Sequence, residues 1–375
     1  MNATAPAERF AVVMAGGAGE RFWPLSRATR PKQLLNLGPS GRSLLEETIE
    51  RVLPLVERER LFVVTGKHLR EHLAAANLPI GEEQILAEPC KRNTAGCIAY
   101  ATAYVLAKFD CPPERATLII VPADHYIRDA KAFREALSKA VSAAEQEQAL
   151  VVIGVEPTRP ETGYGYIQVA EERSPAGGRG ERDEVWPVAS FREKPSPELA
   201  REFLASGGFL WNTGMFVWRA SAFLEEMRGA RPEMAQTIDE LIAAMRTGEE
   251  EKAEEIFESL PDISIDYALM ERAQRVLVVR AGFDWDDLGA WDAFRRVCAR
   301  DGKGNVTVGD PVLIDCRDCV VYNESGQEKV AVSVIGMDGV VVAVSRDGVL
   351  VVPASRAQEV REAVAALKKQ GARQI

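Results

Sequence analysis

Apolar runs without polar alternation recur through the first 155 residues: RFAVVMA (9–15), LFVVT (61–65), QILAE (84–88), TLIIVPAD (117–124) and ALVVIGV (149–155). A strand with one wet face alternates polar and apolar residues, whereas a strand covered on both faces does not need to. These runs therefore imply parallel strands sandwiched between helices. The intervening segments carry helical patterns. Ser43 and Glu46 are spaced as a capping box for a helix over residues 43–53. A second helix is expected over about 67–76; Asn93 is placed to cap one reaching residue 109, and Asp129 one reaching about 147. Strand–helix–strand repetition predicts an α/β chain with a doubly wound, mostly parallel sheet. Ligands bind such sheets beyond the carboxyl ends of the strands, so residues that directly follow a strand are the first site candidates.

The pattern changes after residue 160. GYGYIQVA (163–170) and VWPVASFREKP (185–195) read as a hairpin whose glycine-rich connection, 171–184, is expected to form a mobile tip. Helices follow at about 197–206 and 221–259, broken near Gly229 and Gly248, with a short strand at 214–219 and another at 275–283. Residues 305–353 hold short strands and turns, and Ser355 with Gln358 is spaced to open a last helix over 355–369. With 375 residues the chain has room for two domains: 1–300, and a small C-terminal β-strand domain with its terminal helix over 301–375. The helix carries an apolar stripe, Val360, Val364 and Leu367, suited to intrachain packing or to a homodimer contact.

A net charge of −10 argues against nucleic acid or an anionic membrane as main partner. The N-terminus has no apolar secretory segment and no window approaches eighteen apolar residues. Six cysteines are sparse and fit a cytoplasmic protein with reduced thiols. Cys316 and Cys319 lie between two strand-like runs without a second pair, and read as turn residues rather than a redox or zinc motif. His68 and His72 lack the glutamate and third ligand of a zinc site and read as solvated helix residues.

Against that acidic background, MAGGAGERFWPLSRATRPKQLL (14–35) is exceptional. It packs three glycines into four positions, then sets out Arg21, Arg27, Arg30 and Lys32 between two stiffening prolines. Glycines let backbone N–H groups approach a phosphate or base without a Cβ in the way. The Rossmann pattern fails because its third glycine falls on Phe22, and the Walker pattern fails because no Lys-Ser/Thr follows. Four cations with one acid, Glu20, repel one another unless an anion sits among them.

The string from Gly16 to Gln33 resembles the signature of nucleotidyltransferases that make nucleoside diphosphate sugars. It is most similar to the mannose-1-phosphate guanylyltransferase family, whose signature reads G-G-x-G-x-R-x-W/L-P-L-S-R-x-x-x-P-K-Q. The resemblance continues in EPCKRNTA (88–95), PADHYI (122–127), ETGYGYI (161–167), FREKP (191–195), WNTGMF (211–216) and FDWDDLGAW (283–291), nearly the whole chain. It implies a Rossmann-like nucleotidyltransferase fold and transfer of GMP from GTP to mannose 1-phosphate with Mg2+ or another divalent cation. It assigns the nucleotide to Ala15, Gly16, Gly17, Gly19, Glu88, Asn93, Thr94 and Asp124, and the metal to Asp124 and Asp287. It places Lys194 on the sugar phosphate, and Glu193, Asn212, Gly163 and Tyr164 around the sugar. Arg21 and Lys32 would hold the β- and γ-phosphates.

Residue chemistry agrees in part with these assignments. Magnesium takes one or two protein carboxylates and completes its shell with phosphates and water, as two distant aspartates allow. Asp287 is preferred to Asp286 by its place in the W-x-D-x-G pattern, although a helix cap is a respectable alternative. A carboxylate can accept both N1–H and N2–H2 of guanine, so Glu88 suits a guanine reader; spacing alone leaves it equally a water-facing helix-entry residue. No Ser–His–Asp arrangement is evident, and an ionised phosphate nucleophile needs no general base. Two alternatives stay open: a pyrophosphorylase for another nucleotide or sugar, and an inactive sugar-nucleotide sensor. The second would lose phosphate-binding charges, yet Arg21, Lys32, Asp124, Lys194 and Asp287 are all present. Some relatives add an isomerase domain rich in metal-binding histidines; with three His and none after His125, transferase activity alone is expected.

Overall fold

The computed structural model describes residues 7–17, 19–38, 40–170, 185–326 and 329–375; the expected hairpin connection 171–184 lies outside them. The first half alternates as the apolar runs require: β1 (Glu8–Met14), α1 (Leu44–Val52), β2 (Leu61–Gly66), α2 (Lys67–Ala74), β3 (Ile85–Glu88), α3 (Asn93–Lys108), β4 (Ala116–Pro122), β5 (Tyr126–Ile127), α4 (Ala130–Glu147) and β6 (Leu150–Val155). Then come β7 (Tyr166–Val169), β8 (Val185–Arg192), α5 (Pro197–Ser206), β9 (Phe209–Arg219), α6 (Ala220–Ala230), α7 (Pro232–Thr247), α8 (Glu250–Ser259), β10 (Val276–Arg280), β11 (Trp285–Asp286) and α9 (Phe294–Val297).

Phe10, Ala11, Val12 and Val13 of β1 are all fully buried. Phe10 and Val12 belong to a core shared with α3, α6 and α7, while Ala11 and Val13 belong to one shared with α1 and α4. Helices cover both faces, which is why the run has no polar alternation. The main sheet runs β3-β2-β1-β4-β9-β6-β10-β8-β7. β1 to β4 are parallel, β9 runs antiparallel between β4 and β6, and β10 is parallel to β6. β7 and β8 pair antiparallel at the far edge. The sheet is thus mixed beyond its parallel quartet.

Register brings the site candidates to one edge. Met14 lies beside Val64 and Pro122, and Gly66 beside Glu88. The segments leaving β1, β3 and β4, with Ala15, Glu88 and Asp124, therefore emerge together. Because β9 is antiparallel, its beginning comes to the same edge, with Asn212 opposite Gly154 near the end of β6.

Two helix starts follow the sequence reading and two differ from it. Asp129 caps α4 through bonds to the Lys131 and Ala132 amides, and the Ser43 hydroxyl accepts the Glu46 amide. Asn93 is not the cap of α3: Arg92 holds that place, and Asn93 opens the helix with φ +58°. Asparagine tolerates this left-handed conformation because its short side chain bonds locally, here accepting the Thr94 amide at 2.9 Å. Ser355 and Gln358 form no capping box; they lie in a 3-10 turn, Ala354–Glu359, that leads into α10 (Val360–Lys369). The helical stretch breaks at Arg231, two residues past Gly229, and at Gly248, as expected.

The C-terminal strands are β12 (Val306–Val308), β13 (Val312–Ile314), β14 (Val320–Asn323), β15 (Ser333–Ile335), β16 (Val340–Val344) and β17 (Val349–Pro353). β12, β14 and β16 stack in parallel, as do β13 and β15, and β17 closes the larger sheet antiparallel. The chain thus coils, placing Val320 on Val341 and Val312 on Ser333. Cys316 and Cys319 are buried inside the coil, their thiols donating to the Val334 and Met337 carbonyls of the next turn. Phe22, Trp23 and Leu25 of the cationic loop share a core with Trp291, Val306, Val320, Val341, Val360 and Val364. The apolar stripe of α10 therefore packs within the chain.

Candidate active site

The loop after β1 is pinned from behind. The Ala15 carbonyl accepts both the Gln33 amide, at 2.8 Å, and the Thr65 hydroxyl, at 3.0 Å. Gly16 and Gly17 are exposed, and a Cβ on either would meet no neighbour. Gly19 is different: its φ is +64° and a Cβ would fall 2.2 Å from that of Lys32. Only glycine allows the loop to fold back onto Lys32 there.

Lys32 is buried, yet its ammonium has two partners from remote segments. It donates to the Asp124 carboxylate at 2.8 Å and to the Asp287 carbonyl at 2.5 Å. Burial resists ionisation of Asp124, but the Lys32 charge beside it prevails and holds this carboxyl below its ordinary range. The Asp287 carboxylate accepts the Tyr164 hydroxyl at 2.6 Å and the Gly289 amide at 3.0 Å. Burial, reinforced by Asp287, pushes the Tyr164 hydroxyl well above the usual phenol range, so it remains a donor. Asp286 is spent elsewhere: buried, it takes two bonds from Arg296 and one from the Leu288 amide. His125, buried beside Asp124, accepts the Trp285 indole N–H at Nδ1, and burial lowers its pKa against the pull of Asp124. A neutral ring with a filled acceptor is a packing element, not a base.

Tyr164 links this cluster to a second. The Lys194 amide donates to its carbonyl, and Lys194 itself has φ +44°, a left-handed conformation costly for a residue with a Cβ. The exposed Lys194 ammonium lies 3.1 Å from the buried Glu193 carboxylate. A Cβ on Gly165 would lie 2.6 Å from that carboxylate and 3.3 Å from the Asn212 Cβ, so a side chain there would fill the space between them. Asn212 donates to Asp266 at 3.0 Å and accepts the Gly214 amide at 3.0 Å. The Gly163 amide donates to Glu161, whose other oxygen pairs with Arg159; the Arg159 guanidinium lies over the Trp211 ring.

Glu88 ends β3 and is buried, and its Oε1 finds no hydrogen-bond partner. Burial alone pushes its carboxyl up to about 7. The Thr94 hydroxyl accepts the Ile265 amide at 2.8 Å, tying α3 to the segment that carries Asp266. Arg21 stands outside the Lys32 chain of contacts: its guanidinium donates to Gln358 at 2.5 Å. Arg27 pairs with Asp347, and Arg30 with Glu324. Anions supplied by the C-terminal coil thus answer the repulsion that the sequence reading assigned to a ligand.

A divalent cation fits the acids present. Among the described residues no cluster of three or more His, Cys, Asp or Glu could cage a metal. Asp124 and Asp287, joined through Lys32, offer hard oxygen donors for a cation that takes its other ligands from phosphate and water. Sequence reasoning missed Asp266, Arg159, Glu161 and Gln358. Asp266 sits in an apolar run, ISIDYALM, with no local pattern to betray its bond to Asn212.

Residues 10–303 match the nucleotidyl transferase family, and residues 309–367 match the MannoseP isomerase/GMP-like beta-helix domain. The alginate biosynthesis protein AlgA of Pseudomonas aeruginosa is 39% identical over 368 residues, 96% of this chain and 72% of that protein. The mannose-1-phosphate guanylyltransferase of Escherichia coli is 37% identical over 372 residues, 98% of this chain and 75% of that enzyme. A crystal structure described as a mannose-1-phosphate geranyltransferase from Thermus thermophilus superposes with a TM-score of 0.82 at 38% identity, covering 96% of this chain and 99% of that one. No helix among the described residues is long and apolar enough to cross a membrane. The glycine loop, the register that gathers the strand ends and these similarities over nearly all of this chain agree: the chain belongs to the nucleotidyl transferase family, in its mannose-1-phosphate guanylyltransferase branch.

Proposed function

We propose that the chain transfers the GMP unit of GTP to α-D-mannose 1-phosphate, giving GDP-mannose and pyrophosphate. The single observation that carries the reading is the Lys32 ammonium held between Asp124 and Asp287 beside an open glycine loop. A phosphate oxygen of the sugar phosphate attacks the α-phosphorus in line, and the bond to the β-phosphate oxygen breaks. Both reactants are anions, so the protein's main work is neutralisation and alignment.

Ala15, Gly16, Gly17 and Gly19 present backbone to the triphosphate, with Asn93 and Thr94 at the start of α3 bordering the nucleoside. Glu88 accepts the two guanine donors; its unpartnered oxygen supports that role. Lys32 and Arg21 stabilise the leaving pyrophosphate, Arg21 exchanging its Gln358 bond for phosphate. Lys194 draws the sugar phosphate in, while Glu193, Asn212, Gly163 and Tyr164 border the sugar. Asp124 and Asp287 are the residues that would hold Mg2+, which when bound neutralises the α-phosphate. Six free cysteines suit a reducing cytoplasm.

Initial rates with GTP, ATP, UTP and dTTP, each against mannose and glucose 1-phosphates, test the reading. GTP with mannose 1-phosphate is expected to be fastest, and chelation of divalent cations to abolish turnover. Another pair turning over faster would overturn it.

A further inference from the structure

A five-residue π-helical turn, Asp266–Met270, lies against the strand ends of the sugar-phosphate cluster. Such turns are rare and recur at functional sites, because widening the helix re-aims a side chain. Its first residue, Asp266, accepts the Asn212 side-chain amide at 3.0 Å. Glu271, directly after the turn, accepts the Glu193 backbone amide at 3.2 Å. One irregular turn thus grips the two strand-end residues assigned to the sugar, one on β9 and one just past β8. The turn is itself anchored, since the Ile265 amide before it is held by Thr94 at the start of α3.

The Asn212 carboxamide is thereby held at both its oxygen and its nitrogen. Its oxygen takes the Gly214 amide, one N–H goes to Asp266, and the backbone N–H goes to the Gly165 carbonyl. A primary amide has two N–H donors, so one remains. Its direction is set by the bonds on either side of it. Asp266 stands among charged neighbours: Glu193 resists its ionisation and Lys194 favours it, while burial, the largest influence, raises its carboxyl to about 7.

We propose that Asp266 is a positioning residue for the hexose: it fixes the Asn212 carboxamide so that the remaining N–H selects among sugar hydroxyl arrangements. This rests on the assignment of Asn212 to the sugar pocket. Asp266 acts through Asn212, with no part in binding the nucleotide.

Asp266→Ala and the isosteric Asp266→Asn are compared with the unaltered protein in steady-state kinetics. The Ala variant is expected to raise KM for mannose 1-phosphate roughly ten- to a hundredfold, the scale of one lost buried hydrogen bond. KM for GTP should stay within twofold, and the preference for mannose over glucose 1-phosphate should fall by a similar factor. The Asn variant keeps an acceptor oxygen of the same shape and should recover most of both. A purely structural role would instead lower kcat and disturb both substrates together, or be insensitive to the acceptor; either result overturns the inference. If the unaltered protein does not use mannose 1-phosphate, the functional reading itself fails, which the same assay separates. Should the Ala variant not fold, an Asn variant with lost hexose preference and unchanged KM would equally overturn the proposal.

Discussion

Replacing Glu88 with glutamine should make the protein more stable and a worse reader of guanine. The side chain is buried with one oxygen unpartnered, and burial lifts its carboxyl from 4.5 to about 7. The folded protein therefore holds this proton more tightly than the unfolded chain. Stability must fall as pH rises from about 4.5 to about 7, and above that remain lower by up to about 3 kcal/mol. Glu88→Gln removes the term, so its melting temperature should exceed that of the unaltered protein at pH 8 and the difference should vanish near pH 4. Binding runs the other way. Only the ionised carboxylate accepts both guanine donors, and it makes up about a tenth of the free protein at pH 6 but about nine tenths at pH 8. GTP should bind about tenfold more weakly at pH 6 than at pH 8. In the variant the loss of a charged acceptor should weaken GTP roughly 10- to 100-fold and bring it level with ATP. The γ-phosphate of GTP titrates in the same range, but it does so for both proteins and cancels in their ratio. Calorimetric titration with GTP at pH 6, 7 and 8, beside thermal denaturation, measures both effects. A variant that keeps its preference for GTP over ATP, with a pH-independent affinity ratio, would refute the assignment of Glu88 to guanine.

Two further substitutions separate chemistry from packing. Lys32→Ala should lower kcat by roughly 10²–10³, about 3–4 kcal/mol of transition-state stabilisation; unimpaired turnover would remove Lys32 from the phosphate site. Asp286→Asn breaks a largely buried pair with Arg296 and should cost about 2–3 kcal/mol in denaturation, discounted for the partial exposure of Arg296. Asp287→Asn, one residue on, should leave the melting temperature nearly unchanged and lower kcat at least about a hundredfold. If the two variants exchange these phenotypes, the metal-ligand assignment belongs to Asp286.

How much of this was legible depended on whether the information was local. The buried strands of the first half were readable because burial on both faces removes alternation within each run. The direction of β9 was not distinguishable: its apolar run MFVW reads like those of the parallel strands, and nothing in it records an antiparallel direction. The coil of the last domain was equally hidden. Its stacked pairs, Val320 on Val341 and Val312 on Ser333, lie 21 residues apart, but two short turns are too few to reveal a repeat. Within the site, contiguous motifs drew notice to Lys32, Asp124 and Asp287, although the contacts joining them span 92 and 255 residues. Asp266 stayed invisible because its importance lies wholly in a distant partner.

The cationic loop shows where a local charge argument fails and where it survives. Counting charges within residues 14–35 predicts a missing anion, and the folded chain supplies anions for most of the cations. Arg27 meets Asp347, Arg30 meets Glu324, and even Glu20 is matched by Lys368 of α10. These partly exposed pairs add little stability apiece, yet with the shared core they fix the loop against the C-terminal coil. Lys32 differs in kind. Its carboxylate partner, Asp124, is about a third exposed and lies at the carboxyl end of a parallel strand, where an incoming polyanion and its cation would arrive. A pair facing that approach can exchange partners, whereas Arg27 and Arg30 are bound to the coil. The loop's charges thus divide into two sets: Arg27 and Arg30 lock it in place, while Lys32 and Arg21 are the pair that the proposed reaction would use.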